Sequence, residues 1–224
     1  QYTRGREYAS IFSSNLTSII QRVSYPVLSE IQDDKQRMVE GYRRVIKMTM
    51  FITAICMISL GAVAEPLIYC LIGPQWHEAA TYLPLICISM SLYPIHAINL
   101  NMLQVLGRSD IFLYLEIIKK IIGIIPICIG IFIDIYWMLV ASILIGFVSL
   151  YLNSWYTGKT LGYTFRHQLR DIAPSFGIAF TIAISVHFFK YLPISNWLIR
   201  PLQIVVGVVV CIIACRKSQL EEYK

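Results

Sequence analysis

Apolar residues run through this chain in long blocks, interrupted only by short clusters of Gly, Pro and charge. From Ala79 to Gly107 there is no Asp, Glu, Lys or Arg, and the same holds from Ile135 to Gly158. Each gap exceeds the roughly 20 residues a helix needs to cross about 30 Å of hydrocarbon. A strand would have to satisfy its backbone on a neighbour, whereas a helix satisfies it internally, so blocks of this length predict helices. The breaks delimit six hydrophobic helices, at about residues 46–72, 79–106, 112–133, 135–156, 172–190 and 195–215, and a more polar one at 7–28. Pro94 and Pro126 fall within spans and predict kinks. The expected fold is all-α: a polytopic membrane helix bundle of about seven helices.

Composition supports a lipid environment. Charged residues make up 14% of the 224 and hydrophobic ones 57%, with a mean hydropathy of +0.63; soluble domains carry about 25% charged residues. The chain begins at Gln1 without an initiator methionine or a signal-peptide pattern, which reads as a piece of a larger protein. Cys56, Cys70, Cys87, Cys128, Cys211 and Cys215 lie mostly in apolar runs and form no CxxC pair, as expected for small hydrophobes in helices. No phosphate-binding glycine loop, catalytic triad or zinc-ligand spacing occurs, so no catalytic residue, cofactor or metal is expected.

The basic residues set the orientation, since short cytoplasmic loops are enriched in Lys and Arg. The segments 29–47, 107–120 and 156–171 and the C-terminal tail together hold fourteen of the nineteen Lys and Arg, counting Lys119 and Lys120. The opposing loops hold two, Lys190 and Arg200, and "GPQWHEAA" holds none; Arg4, Arg6 and Arg22 belong to the first helix. The basic side is therefore read as cytoplasmic, with the C-terminus inside. This accounts for the net charge of +6 without nucleic acid, for which no loop offers a folded platform. In "LIGPQWHEAATYLPL", Gly73 suits a left-handed helix end, Pro74 prevents continuation and Trp76 suits the interfacial belt, giving an outer hairpin.

Polar side chains inside spans must face protein or a wet cavity. On the first helix, Asn15, Ser18, Arg22 and Tyr25 share one face, opposite Leu16, Ile19, Ile20, Val23 and Val27. The wheel leaves two readings for Arg22: snorkelling to the interface, or contacting an anion in an aqueous lumen through its planar fork. In the second long span, Asn101, Gln104 and Arg108 share a face, and His96 and Asn99 an adjoining one; such groups serve helix packing or substrate contact. Glu116 and Lys120 have the spacing of a surface ion pair on a solvated helix end, beside Lys119. Glu65, before Pro66, is a weaker candidate for a cation site.

Beyond the pattern, the words "YTRGREYASIFSSNLTSIIQRVSYPVLSEIQDD", "GYRRVIKMTMF", "AEPLIYCLIGPQWHEAATYLPLI", "LYPIHAINLNMLQVLGRSD" and "LEIIKK" resemble, in this order, the C-terminal half of Wzx-type lipid-linked oligosaccharide flippases. These belong to the multidrug, oligosaccharidyl-lipid and polysaccharide exporter superfamily. The resemblance covers residues 2 to about 170 and implies a two-lobe exporter of two six-helix lobes. Residues 1–157 would form a partial C-terminal lobe lacking its first helix; residues 158–224 would form a cytoplasmic loop, two appended helices and a short basic tail.

The resemblance implies flipping of polyprenyl-diphosphate-linked oligosaccharide by alternating access, for lipopolysaccharide, O-antigen, capsule or exopolysaccharide synthesis, in a bacterial inner membrane. The expected partners are the lipid-linked oligosaccharide, membrane lipid and other glycan-assembly proteins; a proton or sodium gradient is the expected drive. Because that cargo carries a diphosphate, the resemblance turns Arg22 toward a cavity role, with Arg4 behind it. Rival readings are an integral-membrane polymerase or acyltransferase of the same pathway, which would carry a long outer loop, and a drug or metabolite exporter, which would carry acids within its helices.

Overall fold

The computed structural model describes residues 2–31, 34–71 and 73–188. They are helical almost throughout, with no strand among the described residues: α1 (Tyr2–Glu30), α2 (Lys35–Ala62), α3 (Ala64–Leu71), a short 3₁₀ turn (Pro74–Trp76), α4 (His77–Ser91), α5 (Tyr93–Val105), α6 (Ser109–Ile122), α7 (Ile124–Phe132), α8 (Ile135–Leu161) and α9 (Phe165–Phe188). Lys35–Ala62, Pro74–Val105 and Ile135–Leu161 are each long and apolar enough to cross a membrane. The all-helical membrane bundle read from the sequence is borne out. The helix expected at 195–215 lies outside the described residues.

Spans outnumbered by helices have a physical cause. Three expected spans are divided, at Val63, Leu92 and Gly123, each two or three residues before Pro66, Pro94 or Pro126. Proline lacks an N–H and its ring collides with the carbonyl four residues back. Those carbonyls belong to Ala62, Met90 and Ile122, in the closing turns of α2, α4 and α6. The kinks expected at Pro94 and Pro126 are thus present, and Pro66 adds a third. Pro26, Pro84 and Pro174 sit inside unbroken helices.

Two helices begin earlier than hydropathy indicates. α2 starts at Lys35 rather than near 46, because the Asp34 carboxylate caps it by accepting hydrogen bonds from the backbone N–H of Gln36 and Arg37, both at 3.1 Å. Met38, Tyr42, Ile46 and Met50, four residues apart, carry its buried stripe through the basic cluster. A reading based on apolar runs stops where charge begins, although an amphipathic helix does not. α9 likewise starts at Phe165 rather than 172, and α8 continues to Leu161, so the presumed loop at 157–171 shrinks to a turn around Gly162. Gly162 adopts φ +79°, the left-handed end that favours glycine.

The Gly73–Pro74 turn has the expected backbone chemistry. Gly73 sits at φ +94°, its N–H donates back to the Ile68 carbonyl at 3.2 Å, and Pro74 opens the next turn.

α1, α2, α5 and α8 meet in one apolar cluster around Leu28, Tyr42, Ile46, Ile95, Ile98 and Leu150. A polar knot is set into it. Asn99 Nδ2 donates to Gln168 Oε1 at 3.1 Å, and Gln168 Nε2 donates back to Asn99 Oδ1 at 3.0 Å. Ser154 Oγ donates to Gln168 Oε1 at 2.9 Å, and the Tyr42 hydroxyl donates to Asn99 Oδ1. All four residues are fully buried, so α2, α5, α8 and α9 are joined by groups that have no water to fall back on. One turn away, Asp171 on α9 takes a two-pronged bond from Arg43 (2.5 and 2.7 Å) and one from the Tyr163 hydroxyl (2.8 Å).

The knot predicts a non-additive result. Gln168→Leu should destabilise the full-length protein by about 0.5–2 kcal/mol, because it orphans Asn99. The double replacement Asn99→Leu/Gln168→Leu should recover part of that loss in a thermal-unfolding measurement. A double variant whose loss is the sum of the two single ones would count against a coupled pair.

Candidate functional site

The kinked spans do not close on one another. Between α1, α4, α5, α6 and α8 they leave an open-sided cavity of about 1000 Å³. α1 contributes Arg6, Arg22 and Tyr25; the α4–α5 break contributes Met90 and Tyr93; α5 contributes His96, Asn101 and Gln104; α6 contributes Glu116, Lys119 and Lys120; α8 contributes Ser142 and Ser149. Arg6 and Arg22 are sixteen residues apart on α1, about 24 Å along a helix, so the cavity extends along more than half of α1.

Its electrostatics are one-sided. Four basic residues face one carboxylate. Lys119 is ion-paired with Glu116, and its side chain is only 15% exposed. Lys119 also lies ten residues into α6, about 15 Å along its axis, and α6 continues through the Gly123 break into α7. A lysine at that depth is costly unless it faces water or an anion. The opposite side of α6 shows why it turns inward: Leu113, Tyr114, Ile117 and Ile121 are exposed apolar residues suited to lipid.

This corrects the reading of residues 107–120 as a solvated loop and helix end. Gly107, at φ +70°, ends α5, and α6 begins at once with Ser109. The two lysines therefore sit in the last turn of a continuous helix and line the cavity, and Glu116 pairs with Lys119 rather than Lys120. The signal was present in the tight "GRSD" turn, which leaves no room for a loop. Arg6 was also missed, having been assigned only to the first helix.

The expected site residues divide. Arg22, Tyr25, His96, Asn101 and Gln104 come together on the cavity wall. Asn99 does not: one residue from a cavity face is enough rotation on a helix to turn its amide into the Tyr42–Gln168 knot. Asn15 is exposed and Ser18 half-buried, its hydroxyl returned to the Asn15 carbonyl at 2.9 Å; neither lines the cavity. Both still lie on α1, which borders it. The side chain of Arg4 lies outside the described structure. Glu65 is exposed in the first turn of α3, away from the cavity.

His96 is further fixed from behind. Its Nδ1 lies 3.5 Å from Nδ2 of the fully buried Asn153 on α8. Among the described residues no cluster of three His, Cys, Asp or Glu could hold a metal.

Comparison with known proteins gives this geometry a setting. Residues 1–81 match the family model described as "Polysaccharide biosynthesis protein". An uncharacterized membrane protein in the cps region of Klebsiella pneumoniae is 26% identical over 111 residues, covering 50% of this chain and 23% of that protein. The succinoglycan biosynthesis transport protein ExoT of Rhizobium meliloti (strain 1021) is 23% identical over 120 residues, covering 54% of this chain and 24% of that one. The matches thus reach about a quarter of each relative. In fold, the chain is similar to the lipid II flippase MurJ in an inward closed conformation, with a TM-score of 0.72 over 99% of this chain and 48% of that one, at 16% identity. These matches agree with the family that the sequence motifs imply, the membrane transporters of polysaccharide biosynthesis.

Proposed function

We propose that this chain is one lobe of an exporter that moves a polyprenyl-diphosphate-linked oligosaccharide across the bacterial inner membrane by alternating access. The observation that carries this reading is the membrane-deep cavity with Arg6, Arg22, Lys119 and Lys120 on its wall. An amphiphile with an anionic head needs such a path, because a phosphate in hydrocarbon is costly and paired guanidinium and ammonium groups replace its water. Arg22 supplies a two-pronged contact to phosphate oxygens, and Lys119 and Lys120 supply point charges. Asn101, Gln104, Tyr25 and Ser149 offer neutral hydrogen-bonding groups suited to sugar hydroxyls.

The chain's match to 48% of the flippase chain supports its reading as about half of such a fold, and its place as the C-terminal lobe rests on the sequence resemblance. In this reading residues 1–157 complete the lobe apart from its first helix, 158–224 carry the appended pair, and a second lobe closes the open side of the cavity. Each loading by the diphosphate neutralises part of the cavity's charge. That neutralisation supplies a reason for the lobes to close only when cargo is present. The chemistry needed is binding and release, without bond breaking, so the reading is of a transporter and not an enzyme. A proton or sodium gradient is its proposed drive.

In the full-length protein, Arg22→Ala should lower surface glycan export by roughly tenfold or more, the loss of one charge-assisted contact of about 1.5–3 kcal/mol. Arg22→Lys should retain an intermediate level, with normal protein abundance in both. Wild-type export in both variants would remove Arg22 from the path.

Orientation is tested separately. In a background lacking Cys70, Gln75→Cys should react with a membrane-impermeant thiol reagent added to intact cells. Labelling that appears only after lysis would reverse the proposed topology.

A further inference from the structure

A second pocket, of about 490 Å³, lies at the junction of α8 and α9, outside the cavity described above. It is lined from α8 by Gly158 and from the start of α9 by Thr164 and Phe165, on either side of the Gly162 turn. A Cβ on Gly158 would come within 3.1 Å of Thr164 Cα, so this glycine lets the turn fold tightly against α8. Tyr151, Trp155 and Phe165 form an aromatic wall, with Tyr151 5.5 Å from Phe165 in an edge-to-face arrangement and 5.9 Å from Trp155. Lys159 holds its ammonium 5.1 Å from the centre of the Trp155 ring, and Arg166 stands beside it in the first turn of α9.

Neither Lys159 nor Arg166 meets a carboxylate among the described residues. The nearby acid, Asp171, is already engaged by Arg43, Lys47 and Tyr163. Two uncompensated cations thus share one rim with the aromatic wall, beside the Thr164 hydroxyl, whose oxygen lies 2.9 Å from His167 Nδ1. Below that rim, Leu144, Phe147 and Val148 of α8 are exposed and apolar. The rim falls in the last two turns of a membrane span, at headgroup depth, where aromatic rings and basic side chains both settle.

We infer that this pocket binds one anionic phospholipid, its phosphate held by Lys159, Arg166 and Thr164 and its acyl chain lying along Tyr151, Trp155 and the apolar face of α8. Charge complementarity selects an anionic head over a zwitterionic one, since the latter brings its own cation to a rim that is already positive. The aromatic wall and lipid-facing stripe select an amphiphile over a soluble anion. A lipid seated here touches both α8 and α9 and so braces the turn that joins them.

The test uses Trp155 as the reporter. The full-length protein is reconstituted in vesicles of phosphatidylcholine with a fixed fraction of bromine-labelled phosphatidylglycerol, or of bromine-labelled phosphatidylcholine. The fluorescence lost in Trp155→Phe identifies the share of quenching that belongs to this ring. Phosphatidylglycerol should quench that share at a several-fold lower surface fraction than phosphatidylcholine, and Lys159→Gln/Arg166→Gln should remove most of that preference. Lys35→Gln/Arg44→Gln, which removes equal charge from α2, should leave it unchanged.

Inorganic diphosphate, added at matched ionic strength, should not abolish the preference; if it does, the ligand is a soluble phosphate and the lipid assignment is wrong. Equal quenching by the two lipids would overturn the inference. So would a preference that survives the Lys159/Arg166 double variant, or one that falls equally in the Lys35/Arg44 control. Labelled lipid is present in both leaflets, so the outcome does not depend on the orientation proposed above.

Discussion

A polar side chain surrounded by hydrocarbon has to find another protein group, and most of this architecture follows from how that requirement is met. Where partners are available, the polar group becomes a fastener. Asn99 and Gln168 exchange two hydrogen bonds at 3.0 and 3.1 Å, with Tyr42 and Ser154 closing the set, so four helices are held at one buried point. Where a basic group has no carboxylate partner among the described residues, it turns to the cavity instead. Arg22 and Lys120 do so, and with Arg6 and Lys119 they give the cavity its character.

The same constraint applies to the backbone. Each of the three prolines behind a break removes a hydrogen bond from a helix that has no water to replace it, and the chain responds by ending one helix and starting another. The break at Leu92 places Met90 on one side of the cavity and His96 on the other, and Gly146 admits Leu92 within 3.3 Å of where its Cβ would be. Two of the three breaks, at Leu92 and Gly123, fall in the spans that border the cavity, while α1 and α8 border it as continuous helices.

Much of this was legible in the sequence. Charge-free runs gave the spans, Pro94 and Pro126 gave kinks, and Gly73 gave a tight turn between helices. Arg22, Tyr25, His96, Asn101 and Gln104 were read from helical spacing and share the cavity wall. Asn99 takes the packing role that its span left open, since a helix turns about 100° per residue, although nothing in spacing reveals Gln168, sixty-nine residues away, as its partner. Lys119 and Lys120 were misread. Hydropathy counts charge as an end of a helix, and only the tight Gly107 turn, which starts α6 at Ser109, shows that both lie within it. The extensions of α2 and α9 were missed in the same way, since basic residues on the outward face concealed the stripe through Met38, Tyr42 and Ile46.

The central claim is that the basic residues of the cavity recognise the diphosphate of a lipid-linked cargo. The most direct measurement is equilibrium binding by the purified full-length protein of a polyprenyl-diphosphate-linked oligosaccharide, compared with the same glycolipid bearing a monophosphate. Wild-type protein should prefer the diphosphate by roughly tenfold or more, from one additional charge-assisted contact, and the double variant Arg22→Gln/Lys119→Gln should bind the two alike. Equal binding of both lipids by the wild type, or an undiminished preference in the double variant, would contradict the account.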